Sequence, residues 1–104
     1  MNNRIQIAKE FAQAIKSDDI KLIMLFGSVA RGDDHEESDI DILVVSPIAD
    51  EIKPKIRDVA VDFILKKDEV ISPRLMNEEE FSTGNYSFLV NALKEGIIID
   101  KIFL

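Results

Sequence analysis

Apolar positions recur along this chain with two periods, and the changes between them mark out its elements. Ile5, Ala8, Phe11, Ala12 and Ile15 fall three and four apart, so residues 3–16 predict an amphipathic helix. "KSDD" ends it. "IKLIMLF" (20–26) is short, apolar and stopped by a glycine, which predicts a buried strand. After a polar loop, "DIDILVV" (39–45) predicts a second strand buried on both faces, closed by Ser46-Pro47.

The segment 51–67, "EIKPKIRDVAVDFILKK", admits two readings. "VAVDFIL" alone reads as a strand carrying Asp62. Ile56, Val59, Ala60, Phe63 and Ile64 match the template of a core-facing helix, and Pro54 suits a first helical turn. The helix is the better fit, and it turns Asp62 away from the apolar stripe. "EVISPRLM" (69–76) predicts a third strand, with Pro73 pointing to an edge or bulge. "NEEEF" carries an asparagine cap and acids in a first turn, the signal of a short helix. "NYSFLVNALKEG" (85–96) predicts a helix with a stripe of Phe88, Leu89, Ala92 and Leu93, stopped at Gly96. "IIIDKIF" (97–103) predicts a last strand. The expected architecture is α/β, a small sheet of about four strands with helices packed on it, in one domain over residues 1–104.

Composition narrows the function classes. The chain is 46% hydrophobic and 32% charged, with no apolar run of the roughly 18 residues that a membrane span needs. Charges interrupt "MNNRIQIAKE" where a signal peptide needs its apolar stretch, so a cytoplasmic address is expected. With no cysteine there is no thiolate metal site and no redox motif. The net charge is −7, from 20 acidic and 13 basic residues, and no basic cluster stands out. Non-specific binding to nucleic acid is therefore not expected, whereas a cation or a partner with a basic face suits the surface.

The chemistry concentrates in "FGSVARGDDHEESDIDILVV" (26–45). Side chains alternate along a strand, so Asp39 and Asp41 share a face, with Cα atoms roughly 6.5–7 Å apart. Two carboxylates so close repel each other unless a cation offsets them, and oxygen donors are what Mg²⁺ takes. Gly27 and Ser28 follow a strand where a short helix begins. Free N–H groups there favour an anion, and glycine lets a phosphate approach the main chain. If the two strands are neighbours, the pocket suits a metal-bound triphosphate.

Each part has a plainer reading. Gly-Ser after a strand is usually a turn, and a lone Asp-x-Asp is common. "DDHEES" reads as a solvated spacer, and His35 as a surface residue within it. Arg31 is placed equally well on a phosphate or paired with Asp33 or Asp34, and Tyr86 reads as helix packing.

Together the parts are more specific. Gly-Ser, ten residues and Asp-x-Asp between two apolar strands resemble the signature of the polymerase-beta-type nucleotidyltransferase superfamily. "GSVARG", "SDIDILV", "VISPRLMNEEEF" and "FLVNALKEGIIID" resemble its minimal nucleotidyltransferases, so the likeness covers nearly the whole chain. The resemblance implies a mixed-sheet nucleotidyltransferase fold. It further implies that Gly27 and Ser28 hold nucleotide phosphates, while Asp39 and Asp41 are catalytic and ligate magnesium, two ions in all.

The implied reaction moves a nucleoside monophosphate, plausibly AMP, from an NTP to a hydroxyl of a partner protein. The partner implied is a small all-helical HEPN-type protein, with the chain as antitoxin. Self-association is left open. Active relatives add a third carboxylate from a neighbouring strand, for which Asp62, if 51–67 is a strand, and Glu69 or Ser72 on the third strand are the positions on offer. Without it, the alternative is an antitoxin that binds nucleotide, turns over weakly or not at all, and blocks its partner by contact. A sugar-nucleotide transferase fits poorly, because such Asp-x-Asp proteins need longer chains and lack the Gly-Ser element.

Overall fold

The sheet is organised around a central antiparallel pair, seen in a computed structural model that describes residues 3–84 and 87–101. The elements are α1 (Arg4–Ile15), β1 (Leu22–Phe26), α2 (Gly27–Arg31), β2 (Ile40–Val45), α3 (Ala49–Lys67), β3 (Ile71–Met76), α4 (Glu78–Thr83), α5 (Ser87–Glu95) and β4 (Ile97–Lys101). β1 and β2 run antiparallel, with Phe26 opposite Asp41 and Leu22 opposite Val45. β3 lies parallel to β2, with Ser72 beside Asp41, and β4 is antiparallel to β1, so the order is β3-β2-β1-β4. This is the mixed four-stranded sheet that the sequence predicts.

Alternation along the strands divides the core in two. Ile23, Leu25, Ile40, Ile42 and Val44 face α1 and α3, meeting Ile7, Phe11 and Ile56. The Phe11 and Phe63 rings stand edge to face, 5.5 Å apart at 86°. Leu22, Met24, Phe26, Leu43, Val45 and Met76 form the other face, under Leu89 and Ala92 of α5 and Phe81 of α4. β1 is buried throughout, and in β2 only Asp41 is less than buried. Burying each large aliphatic side chain contributes about 1.5–3 kcal/mol, so the central pair is a firm base for whatever its ends carry.

The ambiguous segment is a helix, and it starts earlier than the apolar pattern indicates. Ser46 Oγ donates to the Asp19 carbonyl (2.7 Å) and accepts from the Ile48 N–H (3.1 Å), turning the chain into α3 at Ala49. Pro54 is thus the sixth helical residue rather than a first-turn one. The carbonyl that its missing N–H leaves unbonded belongs to exposed Asp50, where water can reach it.

Stripe edges also move. Ile5 is exposed and Ile7 buried, while Ile64 and Leu93 look outward. Pro73 sits on an edge strand, as predicted. The Ile40 N–H bonds the Val70 carbonyl and the Ser46 N–H the Met76 carbonyl, so even-numbered residues of β3 aim at β2. The nitrogen of Pro73 therefore faces the open edge, where a missing N–H costs nothing. Asn77 and Glu80 form the reciprocal cap of α4. Gly96 ends α5 for a different reason than a left-handed cap, since its φ is not positive. A Cβ there would strike the Ala92 carbonyl and the Met24 side chain. Tyr86 and residues 102–103 of the predicted last strand lie outside the described residues.

Candidate active site

The two halves of the motif meet where β1 ends. Phe26 is the cross-strand partner of Asp41, so the next residue, Gly27, is carried against the Asp41 side chain. Gly27 has φ +76°, and a Cβ on it would collide with Asp41 Oδ2. Glycine is thus required twice, by the backbone angle and by the carboxylate beside it. α2 begins here and is brief. The Ser28 carbonyl accepts from the N–H groups of Gly32 (2.9 Å) and Asp33 (3.1 Å), closing the turn. Ser28 itself is half-buried in the first turn, where backbone N–H groups lack intrahelical partners.

Asp39 immediately precedes β2 and is exposed, while Asp41 is half-buried on the α4/α5 face, where the apolar cover stops. Burial pushes the Asp41 carboxyl above its ordinary range, and the neighbouring Asp39 charge adds to the rise. Arg74 on β3 and Arg31 on α2 pull the other way. Among the described residues neither aspartate takes part in an ion pair. Two hard oxygen donors two residues apart, repelling each other, fit a divalent cation.

The third carboxylate is not supplied by the acids that the sequence offers. Asp62 is exposed on α3 and pairs with Lys66 one turn on (3.1 Å). Glu69 is buried and accepts from Arg4 Nε (2.9 Å), so it is committed elsewhere. The residue beside Asp41 on β3 is Ser72. Among the described residues no group of three or more His, Cys, Asp or Glu gathers to hold a metal.

Arg4 is the residue that the sequence reading passed over, and it corrects the account of the loop. Only 6% exposed, its guanidinium donates to Glu69, to Asp34 Oδ2 (3.0 Å), to the His35 carbonyl (2.6 Å) and to the Glu36 carbonyl (2.8 Å). The stretch between Ser28 and Asp39 is therefore pinned to α1 rather than a free spacer. Stepping the α1 stripe back from Phe11 through Ile7 reaches Arg4, so a charge on an apolar face was the available signal. His35 is a surface residue, its Nδ1 accepting from the Glu37 N–H (3.2 Å). Arg31 pairs with Asp33 (3.1 Å) and with Glu95 of α5 (3.2 Å), which hold its guanidinium more firmly charged.

This fold, carrying Gly-Ser and Asp-x-Asp on adjacent strand ends, defines a nucleotidyltransferase. The chain belongs to the nucleotidyltransferase domain family, whose model matches residues 5–100. It is 42% identical over 101 residues, 93% of this chain and 98% of the other, to a Methanocaldococcus jannaschii protein named "putative protein adenylyltransferase". Solved structures share the fold. One is a toxin–antitoxin complex with AMP-PNP, with TM-score 0.59 and 22% identity, covering 99% of this chain and 76% of that one. Another is the MNT antitoxin complex with the tri-AMPylated HEPN toxin of Shewanella oneidensis, with TM-score 0.52 and 17% identity, covering 93% and 72%. No helix among the described residues is long and apolar enough to cross a membrane.

Proposed function

We propose that this chain transfers a nucleoside monophosphate, AMP in the first instance, from an NTP to a hydroxyl of a partner protein, with Mg²⁺. We further propose that the partner is a small helical HEPN-type protein, the pair forming a toxin–antitoxin system. The observation that carries the reading is the contact of Gly27 with Asp41, which joins a phosphate cradle to a pair of carboxylates short of a cation. The adenylyltransferase name of the 42%-identical relative and the AMP-PNP and MNT–HEPN neighbours support the nucleotide and the partner.

Gly27 and Ser28 bind the triphosphate tail through main-chain N–H groups and the Ser28 hydroxyl. Asp39 and Asp41 would hold Mg²⁺, one ion or two, which would supply neutralisation of the charge that builds up on the reacting phosphate. The acceptor oxygen forms a bond to the α-phosphorus as the bond to the β-phosphate breaks, its proton passing to water and pyrophosphate leaving toward Gly27. Arg4 keeps the two ends in register by fixing the loop between them.

A second reading, an antitoxin that binds nucleotide, turns over weakly and neutralises by contact, is favoured by Ser72 standing beside Asp41 where a third acid would complete the site. One experiment separates the two. The chain is purified with the product of the adjacent gene, given each NTP with Mg²⁺, and the partner is weighed by mass spectrometry. An added AMP mass that disappears in Asp39→Asn/Asp41→Asn is expected. An unmodified partner in the wild type, or an equal adduct in the variant, counts against transfer.

A further inference from the structure

No residue outside 3–84 and 87–101 is acidic or a histidine, so every such side chain of the sequence is placed. Among them no third His, Asp or Glu joins Asp39 and Asp41 in a group that could hold a metal. The acids of the adjoining loop and strand are committed elsewhere, Asp33 to Arg31, and Asp34 and Glu69 to Arg4. The surroundings of Asp41 are equally defined. On the β1 side Phe26 is its cross-strand partner, and Gly27 lies against its carboxylate. Farther along β2 the next residue on that face is Leu43, wholly buried. On the β3 side stands Ser72, followed on the same face by Arg74.

These neighbours limit how many cations the site can hold. Magnesium is bound through one or two carboxylates together with substrate phosphates, a need that Asp39, Asp41 and a triphosphate meet once. Two dications about 3.5–4 Å apart repel each other strongly, so a second one needs further negative charge beside it. The β3 side of Asp41 offers a hydroxyl and a guanidinium instead. Ser72 is a neutral donor, and the Arg74 charge already acts on Asp41 as a cation does, easing its ionisation. We propose that the site takes a single divalent ion with each nucleotide, and admits a second only when a carboxylate replaces the Ser72 hydroxyl. The proposal rests on the reading of Gly27, Ser28, Asp39 and Asp41 as a metal–triphosphate site, and narrows that reading to one ion. The acceptor hydroxyl then has no ion of its own, in keeping with a proton that passes to water.

The test counts bound ions, so it does not depend on turnover. Mn²⁺ takes the same oxygen donors as Mg²⁺ and is visible by electron paramagnetic resonance. The full chain is mixed with an ATP analogue bearing a methylene group between its α- and β-phosphates, which blocks transfer, and Mn²⁺ is titrated in. The expected result is one isolated Mn²⁺ per bound analogue in the wild type. Ser72→Asp should hold two, spin-coupled through their short separation, while Ser72→Asn stays at one. Two coupled ions in the wild type overturn the proposal, and that count stands by itself should a variant not fold. So does a count of one in folded Ser72→Asp, or of two in Ser72→Asn. An analogue that does not bind the wild type with Mn²⁺ sinks the metal–triphosphate reading itself, and the proposal with it.

Discussion

Two sets of acids lie close together at the start of β2 and β3, and the fold treats them in opposite ways. Asp34 and Glu69 converge on the buried guanidinium of Arg4 at 3.0 and 2.9 Å. Asp39 and Asp41 lie two residues apart, and burial together with the Asp39 charge makes ionising Asp41 harder. The first pair is neutralised from within and holds α1, the motif loop and β3 in place. The second is in no ion pair among the described residues, and in the proposed function it takes a cation from outside. Acids that serve the architecture are satisfied by it, whereas acids that serve a ligand carry a cost until the ligand arrives.

That contrast can be broken at several points. The largest effect is expected at Asp41→Asn, which lowers AMP transfer roughly a hundredfold or more while leaving the fold intact. Its stability carries a pH signature. A carboxyl whose folded pKa is raised favours the fold when protonated, and that contribution is lost as pH rises through the folded value. Melting curves should therefore show Asp41→Asn more stable than the wild type near neutral pH without metal. The gap should close as pH falls below the ordinary carboxylate range.

Arg4→Met should have the next effect, a loss of about 3–5 kcal/mol in urea unfolding, because the buried Glu69 carboxylate loses the guanidinium that neutralises it. Adding Glu69→Met should recover most of it, and a single variant as stable as the wild type would refute the pairing. Ser72→Asp sharpens the contrast by placing a third acid on the needy side. It should lower the melting temperature in EDTA, recover it with Mg²⁺, and raise the transfer rate measured by mass spectrometry. Asp62→Asn should do least. Its ion pair with Lys66 is exposed, so a change within about 0.5 kcal/mol and unaltered transfer are expected.

What could be read from the sequence follows from which forces are local. The four strands, α1, the capped α4 and the Gly-Ser and Asp-x-Asp placements all rest on periodicity and turn chemistry within short windows. The helix over "VAVDFIL" was legible only as the better of two readings, because a short apolar run satisfies both periods. Its early start depends on Ser46 reaching Asp19, a contact 27 residues back along the chain. Glu69 looked available because its partner is 65 residues away. Arg4 was hidden by its place among polar residues near the start of the chain, although the helical stripe runs through it. Gly96 stops α5 through the crowding of Met24, which no window around residue 96 contains.

The central claim is that Gly27, Ser28, Asp39 and Asp41 form one site for a metal-bound triphosphate. Calorimetric titration of ATP into the chain tests it most directly, with Mg²⁺ and with EDTA, in the wild type and in Asp39→Asn/Asp41→Asn. Binding that requires Mg²⁺ and is lost in the double variant is the expected result. ATP binding of equal strength in EDTA, or in the variant with Mg²⁺, would contradict it.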